Sequence, residues 1–281
     1  MRYPSTFEVL THSPGTMIGV TLVVLHVLVS LFAPLMIPFE TTKIVGPVLL
    51  SPGSMENWLG TDNIGRDYLS RLLMGGRTSI FVAMVSITCA VLIASLTGIS
   101  AAYIGGIYDD VVMRIVDTKL AIPGILFIAL IVTGFGRSVP ALILAIALSY
   151  LPGAIRIIRS QALTIIPLGY VETAKLRGDS LPSIIWNELV PNCQEIIAVE
   201  FALRMSSSIL TVSALSFLGL GISPPTPDWG LMIAEGVKNI HTHAWLILLP
   251  AAFISTLVIG LNLASDGLAN ALGLDAARGI N

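Results

Sequence analysis

The sequence predicts an all-α polytopic membrane protein with six transmembrane helices and both termini on the cytoplasmic side. Three observations lead there. Mean hydropathy is +0.87, which soluble domains rarely approach. Hydrophobic residues fill 54% of the 281 positions and gather into six runs, roughly 16–37, 79–104, 119–136, 139–155, 194–221 and 244–265. Each run is close to the about 20 residues that a helix needs to cross a bilayer. A closed β-barrel also satisfies its backbone in lipid, but its strands alternate apolar and polar residues, and these runs are continuous.

The first run, TMIGVTLVVLHVLVSLFAPLMI, is longer than a signal-peptide core and precedes no good small-residue cleavage site. It reads as a retained anchor. An external segment, about 38–78, then leads to the second run and ends in WLGTDNIGRDYLSRLLMGGRTSI. Ile64, Tyr68, Leu69, Leu72 and Leu73 recur there at helical spacing, with Asp67 four residues before Arg71. The spacing predicts an amphipathic helix lying at the interface, with a gate or a receptor-docking element as the sharper reading. After the fifth run comes GLGISPPTPDWG, where Pro224, Pro225 and Pro227 predict a stiff, extended stretch and Trp229 a headgroup-level anchor. Pro34, Pro123, Pro152 and Pro250 fall within or at the ends of spans, where neighbouring helices can satisfy the freed backbone groups.

Charge sets the orientation. Arg2, Arg114, Lys119, Arg156, Arg159, Lys175, Arg177 and Arg278 fall on the inner side when the N-terminus is inside. Lys43, Arg66, Arg71, Arg77, Arg137 and Lys238 fall outside, so the inner side holds the excess. The net charge of −2 points to no nucleic-acid partner. Cys89 and Cys193 lie far apart and form no redox or metal motif. No GxxxxGK[ST] cradle is present, so ATP and Mg are not expected to bind this chain. His241 and His243 read as a surface pair, and His26 as packed.

Two polar features interrupt the apolar pattern. Glu200 and Arg204 stand four apart within the fifth run, where a lone charge costs about 2.5–3.5 kcal/mol. They can neutralise each other along one helix face, or line a translocation path. The second feature is the island YVETAKLRGDSLPSIIWNELVP, residues 170–191, in a chain only 11% charged. Residues 170–177 favour helix, and Gly178 is placed to end it in a left-handed conformation. Asp179 or Ser180 can cap a second helix over about 180–189, with Pro182 in its first turn and Pro191 as its stop. Leu181, Ile184, Ile185 and Leu189 lie along one side of that helix. So short a helix is marginal alone, and its apolar side needs cover from the membrane surface or from a docked protein.

The island resembles the EAA loop of bacterial ABC importer permeases: Glu172, Ala174, Gly178 and Pro191 match, while Thr173 departs from the usual alanine. LGTDNIGRDYLSRLL, RIIRSQALTIIPLGYVETA and LSFLGLGISPPTPDWG look like the second permease subunit of the dipeptide, oligopeptide and nickel importers. The similarity runs from about Leu59 to Leu272; the finish differs, with Ala276 following Asp275.

The resemblance implies a permease domain over 79–272, preceded by the anchor and external segment (1–78) and followed by a cytoplasmic tail (273–281). It implies a loop that couples to a cytoplasmic ATPase: Glu172, Ala174 and Gly178 as scaffold, and Asp179, Ser180, Leu181, Ile184 and Ile185 in the contact. The implied partners are a homologous permease, two ABC ATPase subunits that bind the ATP and Mg, a periplasmic or lipid-anchored solute-binding protein, and membrane lipid. The implied location is the bacterial inner membrane. Peptides are the expected cargo, with nickel chelates, glutathione, sugars or polyamine export as alternatives. The reading from a different class is a stand-alone secondary transporter or membrane enzyme, which leaves the island unexplained.

Overall fold

The computed structural model describes residues 13–53 and 56–271. Arg2, Arg278 and the tail 273–281 lie outside them. Among the described residues the chain is helical, with no strand beyond two isolated bridges. Five helices are long and apolar enough to cross a membrane, and a sixth crossing is made if one bent pair counts as a single span.

Helix α1 (Pro14–Met36) is the anchor, opened by Pro14 in its first turn and closed at the extended Ile37. Helix α2 (Tyr68–Ile104) has 37 residues, about 55 Å, far more than a bilayer core. Asp67 caps it by accepting from the Ser70 N–H at 2.8 Å, and Gly105 ends it at a φ of 66°. This corrects the expected interfacial helix: Tyr68, Leu72 and Leu73 begin the second span itself and are buried inside the chain. The helix also runs unbroken across the expected boundary at 78–79.

The third run is not one straight helix. Helix α3 (Gly106–Leu120) and helix α4 (Gly124–Phe135) meet at a 90° bend. With 12 residues, about 18 Å, α4 cannot cross alone. Pro123 disfavours helix at the residue before it, which accounts for the break. Helix α5 (Val139–Ile165) is capped by Ser138, continues through Pro152 and outlasts the apolar run by ten residues. Helix α6 (Gly169–Leu176) and helix α7 (Leu181–Ile184) form the island. A π turn (Ile185–Leu189) joins α7 directly to helix α8 (Val190–Phe217).

The expectation that Pro191 stops the short helix is therefore corrected. The Val190 N–H reaches back five residues to the Ile185 carbonyl, and the wider turn accommodates a residue with no N–H to give. Helix α9 (Trp229–Gly236), a 3₁₀ turn (Val237–Asn239) and helix α10 (Trp245–Ala271) complete the described residues.

Buried apolar side chains fall into two groups stacked along α2, α5 and α8. The outer group includes Tyr68, Leu72, Ile146, Ile209 and Trp229. The inner group includes Ile99, Ile158, Ile184, Leu189 and Cys193. Along α5 the division falls between Ile146 and Ala154, around Pro152.

The segments before α2 and between α8 and α10 pack onto the outer group as a polar-pinned cap. Asp62 accepts from Arg66 Nε at 2.6 Å and is paired with Arg71, which also meets Glu235 of α9 at 2.9 Å. Trp229 is buried and gives its indole N–H to the Leu72 carbonyl at 2.9 Å, so it is not the headgroup anchor that its place in the sequence suggested. Close approach makes this possible: a Cβ on Gly76 would stand 2.4 Å from the Trp229 ring. Gly230 is tighter against backbone, 2.1 Å from the Ser213 carbonyl oxygen. Gly230→Ala is expected to cost at least about 1–3 kcal/mol by overpacking, read as a lowered thermal midpoint of the detergent-purified chain.

Candidate functional site

The island forms a bracket against the inner core. Val171 and Ala174 of α6 are buried, and the Lys175 ammonium sits over the Tyr103 ring at 4.9 Å, which ties α6 to the end of α2. Gly178 has a φ of 80°. Its N–H donates to the Lys175 carbonyl at 3.0 Å and the Asp179 N–H to the Ala174 carbonyl at 3.2 Å, the paired closure of a Schellman end. Arg177 then pairs with Asp179 at 2.8 Å and reaches Glu188 at 3.5 Å, so the two arms are linked across the elbow.

Burial divides the residues expected to contact a partner. Ile184 and Ile185 are only 2% and 7% exposed, packed with Leu189 and Cys193 in the inner core. Their expected role as an apolar ridge open to a partner is corrected, because the chain covers that ridge itself. The reason is the π turn: it keeps α7 in line with α8, so their apolar sides enter one core.

Gly178, Ser180 and Leu181 remain exposed, Asp179 is half-buried and Glu172 is exposed on the outer side of α6. Leu176 is 84% exposed, Leu181 43% and Trp186 58%. Leu176 and Trp186 are surface residues of the elbow that the sequence did not single out. Leu176 looked like an ordinary helix former, and only its position two residues before a left-handed glycine could have marked it.

The second feature lies at the seam between the two cores. Glu200 is buried, and Arg204 gives it two contacts, Nε to Oε2 at 2.7 Å and Nη2 to Oε2 at 2.6 Å. Arg204 Nη1 also donates to the Tyr150 carbonyl at 3.3 Å, beside Pro152. Gly153 makes room: a Cβ there would lie 3.2 Å from Nη1. The pair is thus neutralised along one helix and braces α8 against α5.

Tyr150 and Thr211 hydroxyls share a hydrogen bond at 2.8 Å, and Ser207 is exposed on the same side of α8. Lys119 donates to the Ser149 carbonyl at 2.5 Å and approaches Ser149 Oγ at 3.3 Å. Lys119 and Tyr150 are seam residues that the sequence reading did not join to Glu200 and Arg204, because the third run was taken as one straight span.

The remaining grooves between helices contrast with this side. The α2–α5 groove is lined by Phe81, Ile93, Ile143 and Leu144, and the α2–α8 groove by Val91, Leu92, Ile197 and Phe201. His26 is packed, its ring set edge-on to Phe253 with centroids 5.7 Å apart. Among the described residues no group of His, Cys, Asp and Glu could hold a metal ion.

A family model described as binding-protein-dependent transport system inner membrane component matches residues 94–275. That is well over half of the chain. The chain belongs to this family. The matched region starts inside α2 and takes in both the elbow and the seam. The chain is 34% identical to the di/tripeptide transport system permease protein of Pseudomonas aeruginosa, over 96% of this chain and 92% of that protein. It is 33% identical to the dipeptide transport system permease protein of Haemophilus influenzae, over 92% and 90% of the two. It is also 33% identical to the glutathione transport system permease protein of Pectobacterium atrosepticum, over 89% and 83%. As a member of this family the chain is a multi-pass membrane permease.

Proposed function

We propose that this permease is one half of the translocation path of an ATP-driven importer of small peptides in a bacterial inner membrane. It pairs with a homologous permease, two cytoplasmic ABC ATPase subunits and an external solute-binding protein. The termini and the elbow face the cytoplasm. The observation behind this reading is the elbow: a bracket rooted in the inner core that leaves an apolar tip, Leu176 and Leu181, uncovered. A socket on an ATPase covers that tip, and the buried arms transmit its displacement to α2 and α8.

Cargo follows from the relatives, which are named for dipeptides, tripeptides and glutathione. None of these three is named for a nickel chelate or is a stand-alone carrier. The face of α3, α5 and α8 that carries Lys119, Tyr150, Arg204, Ser207 and Thr211 lines the path, since polar groups at membrane depth need water or protein, not lipid.

Co-expression with candidate ATPase, permease and binding-protein subunits tests the assembly. A stable complex with ATP-dependent dipeptide uptake in proteoliposomes is expected. Uptake by the purified chain alone, with no ATPase present, refutes the reading. Gly178→Val probes the coupling. A Cβ there meets nothing within 4 Å, so the penalty is the left-handed backbone alone, roughly 1–2 kcal/mol. Peptide moved per ATP hydrolysed is expected to fall several-fold while the subunits still co-purify.

A further inference from the structure

Lys119 differs from the other buried or half-buried cations among the described residues. Arg66, Arg71, Arg159 and Arg204 each have a carboxylate partner. Among the described residues no carboxylate stands within ion-pair distance of Lys119. Its ammonium meets only the Ser149 carbonyl, the Ser149 hydroxyl and the face of Phe127, 5.0 Å from the ring centroid.

Depth makes this costly. Ser149 lies ten residues, about 15 Å, from the start of α5 and near the middle of the apolar run 139–155, so the contact draws Lys119 away from the inner surface where the charge count placed it. An uncompensated ammonium at that level costs about 2.5–3.5 kcal/mol, and such residues face a water-filled cavity or a partner charge. The surroundings agree. Ala121, Ile122 and Pro123, the non-helical joint between α3 and α4, are exposed beside Lys119. Irregular backbone at membrane depth is tolerated only where it is buried in protein or lines a water-filled cavity.

From this juxtaposition we infer that Lys119 is a cargo-contacting residue, which receives the free carboxylate of a peptide as it passes the middle of the membrane. The assignment rests on the reading of this face as the path wall. A carboxylate supplies the missing charge, and it is the group that peptides of any side-chain composition share. A lipid phosphate is excluded by depth, since headgroups lie at the two surfaces. The Ser149 carbonyl holds the ammonium in place between passages. Arg204 does not compete for cargo because Glu200 already neutralises it.

The test uses the assembled permease–ATPase complex in nanodiscs without binding protein. Alanyl-alanine and its C-terminal amide serve as probes, and contact is read by saturation-transfer NMR. The wild-type complex is expected to bind the free dipeptide at least tenfold more tightly than the amide. Lys119→Gln, which keeps a donor for the Ser149 carbonyl, is expected to erase that preference, and Lys119→Arg to retain it.

Equal binding of dipeptide and amide by the wild type overturns the assignment, as does an unchanged preference in Lys119→Gln or no binding of either probe. Should Lys119→Gln fail to assemble, the wild-type amide comparison and Lys119→Arg still decide. ATP-driven uptake of the dipeptide by the wild type, measured in parallel with binding protein present, separates the two readings. Absent uptake removes the importer itself; intact uptake with equal probe binding removes only Lys119.

Discussion

Asp62→Ala is expected to destabilise the chain by about 3–5 kcal/mol, the cost of breaking a buried ion pair from one side. Asp62 is buried and accepts from both Arg66 and Arg71. Without it, Arg71 keeps only Glu235, although its Nε and Nη2 already have no hydrogen-bond partner. Arg66 keeps only a 3.5 Å approach to Glu235. The loop that carries Asp62 then loses its tie to Arg66 and Arg71, and the outer core opens from that end. A thermal-unfolding series on purified protein reads the change, and a midpoint within a degree of wild type contradicts the account.

The same group sets an acid limit. Burial by itself raises the Asp62 carboxyl, but the backbone N–H groups of Arg66 and Ile64 and the charge of Arg71 outweigh it and hold it below the ordinary value of 3.8. A carboxyl lowered by folding contributes stability above its unfolded value and loses that contribution as the pH falls through the lower, folded one. Wild-type stability is therefore expected to drop with acid below about pH 4. Asp62→Asn removes this contribution to the slope.

The second large effect separates the two sides of the elbow. Leu181→Asp places a charge on the exposed tip and is expected to leave the chain folded. Losing a buried leucine contact costs a complex about 1.5–3 kcal/mol, roughly 10–100-fold in affinity for the ATPase subunit. Ile184→Asp acts differently. It buries an unpaired carboxylate in the inner core, so the chain itself fails before any partner is met. Titration of the ATPase against the permease dimer, with a thermal melt of each variant alone, distinguishes them. If Leu181→Asp binds the ATPase as the wild type does, the tip is not the docking surface. If Ile184→Asp melts normally, the island is not rooted as described.

Much of this was legible in the sequence because it depends on local rules. Continuous apolar runs force helices in lipid, and the runs marked where the spans lie. Gly178 could be placed as an elbow because a helix end followed by a polar turn favours the one residue that adopts a positive φ without strain. Glu200 and Arg204 could be paired because residues four apart on a helix are neighbours. Pro191 was misread for an equally local reason. Proline usually ends a helix, and nothing in the linear pattern signals that a π turn will take up the missing donor.

The sequence by itself determined the class of the molecule: a bundle of membrane helices with a polar bracket between the fourth and fifth. Hydrophobic length and backbone propensity act over neighbouring residues and survive any arrangement of the helices. Only the tertiary structure decided which apolar side chains are covered and which charges have partners. Ile184 and Leu181 are equally apolar and three residues apart, yet one is core and the other surface. Lys119 and Ser149 meet across thirty residues because the chain bends by 90° between α3 and α4. Burial and pairing are properties of the packed helices, and packing joins residues that no sequence window contains together.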